Sequence, residues 1–143
     1  MKIDPKFVAK KIELAKKYLG ETRELFKADD YDILHSSGNL HIAERLFQLI
    51  VDYVLDINKH FIKQLDLEPP DNLQNTFDTL ANSGILEKEF SQKIAGVVGL
   101  RNRVVHRYET LDNKEFLTKF RQNNSDFDEY FRQILSYLEK TGF

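Results

Sequence analysis

The chain has 143 residues, no cysteine and a formal net charge of −2, with 41% hydrophobic and 31% charged residues. That length suits one domain over 1–143 with a substantial core, and the missing thiols exclude a disulfide framework, a thiolate zinc site and a cysteine nucleophile. The charge balance argues against a protein that coats nucleic acid through bulk positive charge. The opening Met1-Lys2-Ile3-Asp4-Pro5-Lys6 lacks an apolar targeting core, and no apolar run is long enough to cross a bilayer, so a cytoplasmic protein is expected.

In chain order, Val8, Ile12, Ala15, Leu19, Thr22 and Phe26 recur at steps of three or four and predict a first helix, with Pro5 in its first turn and Asp29-Asp30 at its break. Tyr31 to His35 reads as a turn or one helical turn before Ser36-Ser37-Gly38-Asn39. From Leu40 to Leu65 the set Leu40, Phe47, Ile50, Val54, Ile57 and Phe61, flanked by Leu46, Val51, Tyr53 and Leu55, predicts a central helix touching several neighbours. Glu68-Pro69-Pro70 ends it.

Asp71-x-x-Gln74 fits a capping box for the next helix, whose buried stripe would be Leu73, Phe77 and Leu80, ending at Asn82-Ser83-Gly84. Phe90, Ile94, Val97, Val98, Leu100, Val104 and Val105 predict a further helix. Asp112-x-x-Glu115 and Ser125-x-x-Asp128 fit two more capping boxes, implying separate pieces carrying Phe116, Leu117 and Phe120, then Phe127, Phe131, Ile134, Leu135 and Leu138. No segment sustains strand alternation. The expected fold is all-α, an antiparallel bundle of about five helices with short connections.

Chemistry concentrates in Leu100-Arg101-Asn102-Arg103-Val104-Val105-His106-Arg107-Tyr108. Three arginines supply a local positive field on a mildly acidic body, the imidazole trades protons near neutral pH, and the phenol offers a modifiable hydroxyl. The remaining histidines, His35, His41 and His60, lack metal-ligand spacing. Asp52, Asp56 and His60 form a polar stripe at four-residue steps, read as a solvated or helix-bonding face; Asp56 and Arg45 are alternatives for supporting the motif from the central helix. Lys10, Lys11, Lys16 and Lys17 read as a solvated face, and Gly96 with Gly99 as a site of close helix packing.

Arg101, four residues, His106, one residue and Tyr108 resemble the R-x-x-x-x-H-x-Y motif of HEPN-domain ribonucleases, specifically HepT-like toxins encoded beside a minimal nucleotidyltransferase of the MNT type. Asn102 is the polar residue those proteins commonly carry after the arginine. Chain length, the second helix from Glu44-Arg45 to Asp56-Ile57-Asn58-Lys59-His60, and the Gly84-Ile85-Leu86 turn extend the likeness over nearly the whole chain. The resemblance implies a homodimer with its cleft at the interface. It also implies an endoribonuclease that needs neither metal nor cofactor and leaves a cyclic phosphate, with Tyr108 accepting AMP from an ATP-using MNT antitoxin.

In that chemistry His106 transfers the proton, while Arg101 presents its planar fork to the phosphate. Asn102 orients the imidazole or the phosphate; Arg103 and Arg107 serve as substrate-backbone or surface contacts. On a regular helix, residues five apart diverge by about 140°, so Arg101 and His106 meet on one phosphate only if the helix loosens, the arginine stretches or a second copy contributes. Two other classes stay open. One is a non-catalytic helical module that binds a nucleotidyltransferase, with the arginines complementing a helix dipole, His106 half-buried and Tyr108 packing; the other is a general nucleic-acid binder.

Overall fold

The computed structural model describes residues 3–106 and 112–142. Seven helical segments occur among them: α1 (Pro5–Leu25), α2 (Asp30–Leu34), α3 (Ser37–Gln64), α4 (Thr76–Asn82), α5 (Lys88–Ile94), α6 (Val97–His106) and α7 (Asn113–Thr141). α3 is the hub, packing against α1, α2, α4 and α6. The all-α class stands, with finer segmentation than the periodicity implies.

The first helices begin at side-chain caps. Asp4 accepts hydrogen bonds from the Lys6 and Phe7 amides, with Pro5 in the first turn as expected, Asp29 from Asp32, and Ser36 from Asn39, so that α3 starts at Ser37, three residues before the expected Leu40; each cap satisfies an amide with no partner inside its helix. The inward face of α1 is buried as expected, with Val8, Ala15 and Leu19 at 0% exposure. The link from α1 to α2 is clamped to α7 by Arg121. Its Nε donates to Asp30 at 2.6 Å, and its two terminal nitrogens donate to the Phe26 and Ala28 carbonyls at 3.0 and 2.7 Å.

α7 meets α3 through aromatic rings. Phe47 packs edge-on against Phe116 at 5.5 Å and Phe120 at 4.9 Å between centroids, and Phe61 meets Tyr137 at 5.8 Å. Beneath them lies a polar relay. Tyr130 is wholly buried, and its hydroxyl donates to Asn58 Oδ1 at 2.5 Å with the Val54 carbonyl at 3.2 Å; Asn58 Nδ2 donates to Thr76 Oγ1 at 3.0 Å, which donates to the Leu73 carbonyl at 2.6 Å. Burial pushes the Tyr130 phenol well above its ordinary pKa and keeps it a donor.

That relay moves the start of α4. Asp71 does not cap it: the helix begins at Thr76, Asn72 Oδ1 instead accepts from the Asn75 amide in the preceding turn, and Leu73 is exposed. The box at Ser125 likewise starts no helix, because α7 runs unbroken through it. Phe120, Phe127, Tyr130 and Ile134 keep one buried stripe across the position, and packing outweighs the local capping preference of serine. Leu135 lies on the outer face of α7, 41% exposed.

The expected helix from Phe90 to Val105 divides at Ala95-Gly96 into α5 and α6. Glycine is a poor helix former, and the break lets Phe90 and Ile94 enter the core separately from Val97, Leu100 and Val104. α5 is held from α7, with the Glu87 amide donating to Gln133 Oε1 at 2.8 Å and Lys93 pairing with buried Asp126 at 3.2 Å. Before it, Gly84 takes φ +78°, the left-handed conformation that glycine adopts without steric cost, and turns the chain from α4 toward α5.

Candidate functional site

α6 is anchored by Val97, Val98, Leu100 and Val104, all buried, which leaves Arg101 at the edge of that stripe and turns Asn102, Arg103 and His106 outward. A helix with so short an apolar stripe presents the rest of its circumference for chemistry. Asn102 and Arg103 precede His106 by four and three residues, so each neighbours it on the outer side of the helix.

Arg101 reaches across to α3. Its Nε donates to Asp52 Oδ1 at 2.9 Å and its Nη1 to Asn102 Oδ1 at 3.2 Å. The ion pair is half-buried, with side-chain exposures of 21% for Arg101 and 35% for Asp52. Arg103 Nη1 lies 3.9 Å from Glu115 Oε1 in the first turn of α7, where Lys119 is the nearer cation at 2.7 Å. A solvent-exposed pair of that length constrains Arg103 little. Arg107 and Tyr108 lie outside the described residues.

The structure thus brings Arg101 together with Asn102 and leaves Arg103 exposed near the start of α7. It does not loosen α6 before His106, since the helix stays regular up to that residue. Arg101 facing α3 and His106 facing outward therefore diverge within one copy, as helical geometry requires.

The polar stripe of α3 divides its tasks. Asp56 pairs with Lys11 at 3.1 Å and Lys59 at 3.7 Å, and so holds α1 instead of supporting the motif. His60 Nε2 accepts the Asp4 amide at 3.0 Å while its ring stacks on Phe7 at 4.6 Å between centroids. Burial lowers the His60 pKa, with Asp4 opposing and Lys63 adding to the shift. Arg45 is exposed. The supporting carboxylate that sequence reasoning sought at Asp56 is Asp52, one turn earlier; its signal was a lone acid inside the apolar run from Ile50 to Leu55.

Gly96 and Gly99 have open space where a Cβ would stand, so no described part of this chain packs on them. Val105, further along α6, is 37% exposed. Among the described residues no group of three or more His, Cys, Asp or Glu side chains could hold a metal ion, and no helix is long and apolar enough to cross a membrane.

Comparisons with known proteins give the family and the fold. The chain is 32% identical over 136 residues to the tRNA nuclease HepT of Aphanizomenon flos-aquae, covering 95% of this chain and 92% of that protein. It is 28% identical over 80 residues to the mRNA nuclease HepT of Shewanella oneidensis, covering 56% of this chain and 60% of that one. The fold matches a solved structure of the tri-AMPylated Shewanella oneidensis HEPN toxin in complex with MNT antitoxin, with a TM-score of 0.84 at 21% identity, covering 91% of this chain and 97% of that one. It also matches the cytosolic protein YutE of Bacillus subtilis, with a TM-score of 0.82 at 18% identity, covering 97% and 93% of the two chains. Residues 9–134 match the family model described as Ribonuclease HepT-like, and the chain belongs to that HepT-like family.

Proposed function

We propose that this chain is the toxin of a HEPN/MNT toxin–antitoxin pair, a metal-independent endoribonuclease that works as a cytoplasmic homodimer. The observation that carries the reading is one helix, α6, in a HepT-like chain, holding Arg101 by its Nε while turning His106 outward. Arg101 and His106 are the catalytic pair, Asn102 supports them, and Arg103 and Arg107 bind the substrate backbone.

In this reaction the ribose 2′-oxygen loses its proton to an imidazole and attacks phosphorus, forming the 2′,3′-cyclic phosphate. The bond from phosphorus to the 5′-oxygen breaks, and that oxygen takes up a proton. Arg101 stabilises the charge that grows on the phosphoryl oxygens, its fork being permanently protonated. Because the two residues diverge on a regular helix, His106 and Arg101 of facing α6 helices complete each cleft in a two-fold dimer. The exposed outer face of α6, on which Val105 is 37% exposed, leaves room for such a contact.

Tyr108 is the AMP acceptor of an MNT-type nucleotidyltransferase antitoxin that uses ATP, and the Shewanella complex of a tri-AMPylated toxin with MNT antitoxin supports this. Added phosphates would repel RNA and pair with the arginines, closing the site. The substrate is RNA; one relative is a tRNA nuclease and another an mRNA nuclease, and the first aligns over more of this chain.

The test is cleavage of bulk tRNA in excess EDTA by wild type and His106→Ala, with analysis of the ends. Wild type is expected to leave cyclic phosphates, and the variant to lose about 10²- to 10⁴-fold in rate while remaining dimeric. Joint loss of dimer and activity would make His106 structural. Failure of dimeric protein, unmodified at Tyr108, to cleave would assign the chain to the non-catalytic module that binds a nucleotidyltransferase.

A further inference from the structure

We infer that Asp52 is the positioning residue of the catalytic arginine, setting the direction in which Arg101 presents its free N–H groups to phosphate; this rests on the function proposed above. Asp52, Asp56 and His60 stand one turn apart on α3, and each takes a different partner. Asp56 and His60 hold α1 through Lys11 and the Asp4 amide, whereas Asp52 holds the motif arginine of α6.

The contact geometry suits orientation. Asp52 occupies Nε at 2.9 Å and Asn102 occupies Nη1 at 3.2 Å, so the guanidinium plane is gripped at two nitrogens. Among the described residues the guanidinium makes no further hydrogen bond, which leaves both Nη2 protons and the second Nη1 proton to face a substrate oxygen. Arginine is otherwise a long, many-rotamer side chain, and fixing it in advance removes an ordering cost from the reacting complex. As a stabilising element the pair is poorly placed, being partly wet on both sides.

A carboxylate beside a phosphate site also carries an electrostatic cost, which gives the role a directional consequence. Removing the charge should leave RNA binding equal or tighter while the chemical step slows. A purely structural role would instead change melting temperature and active fraction together.

The experiment measures kcat and KM for RNA cleavage by wild type, Asp52→Ala, Asp52→Asn, Arg101→Ala and the Arg101→Ala/Asp52→Ala double variant, with thermal melts of each. Asp52→Ala is expected to lower kcat about 10- to 100-fold with KM unchanged or reduced. Asp52→Asn, whose amide oxygen still accepts from Nε, should recover part of the loss and secures the result if the alanine variant folds poorly. The double variant should be no slower than Arg101→Ala alone, because the effect passes through the arginine. Additive losses, an unchanged or raised kcat in Asp52→Ala, or a loss matched by the fall in melting temperature would each overturn the inference. Full activity of Arg101→Ala would overturn the proposed catalytic pair itself, which separates the two failures.

Discussion

On one side of α3 the buried rings of Phe47 and Phe61 meet α7, whereas on the other side Asp52, Asp56 and His60 add partly exposed polar contacts to α6 and α1 beside the apolar packing of those helices. The aromatic seam gains its energy from buried area, which is non-directional and large. The polar contacts gain little energy but aim particular atoms, and they end at the motif helix. Stability and chemistry should therefore be separable by choosing which side of α3 to alter.

The largest effect expected is on the polar side, where His106→Ala should cost orders of magnitude in RNA cleavage with an unchanged melting temperature; a large drop in that temperature would merge the two regions. On the aromatic side, Phe47→Ala should destabilise by about 3–5 kcal/mol in urea melts, since the emptied space is lined by Phe116 and Phe120. Its residual folded fraction should retain wild-type kcat.

A finer probe of the same seam is Tyr130→Phe, which leaves Asn58 Oδ1 buried without its donor. The expected loss is about 1–3 kcal/mol. Loosening should reach Thr76 through the relay, so faster amide exchange at the start of α4 is the accompanying readout, and unaltered exchange there would show that the relay does not position α4.

The smallest effect belongs to His60. Its imidazole titrates below its ordinary range near 6.5, chiefly because of burial. The unfolded chain then binds more protons than the folded one as pH falls past about 6.5, so stability from this group is complete above that value and is lost as pH falls through the folded pKa. An NMR titration of the ring should give an inflection below that of free imidazole, with the Asp4 amide shifting in step. Asp4, Lys63, Asp56 and Lys11 surround this part of α3 and α1, and Asp4→Asn should lower the inflection further by removing the opposing carboxylate.

Much of the architecture was legible from periodicity and caps. The stripe from Val8 to Thr22, the first-turn Pro5 and the Gly84 turn follow from local rules, because an amphipathic repeat, a proline or a left-handed glycine needs no distant partner to be recognised. The failures were non-local. Asp71 and Ser125 satisfy capping rules as well as Asp112 does, yet only Asp112 caps, with its side chain accepting from the Glu115 amide. Asn58 and Tyr130 decided the first case, and the continuous aromatic stripe of α7 the second.

The sequence by itself determined the helical class, the order of the long elements and the residues of the motif, since these depend on spacing along the chain and on side-chain chemistry. Tertiary structure decided that α5 and α6 separate, that Asp52 and not Asp56 reaches Arg101, and that Arg101 faces α3 while His106 faces outward. Those outcomes turn on how helices distant in sequence cross, and residues one helical turn apart become distinguishable only when a partner helix is set against them.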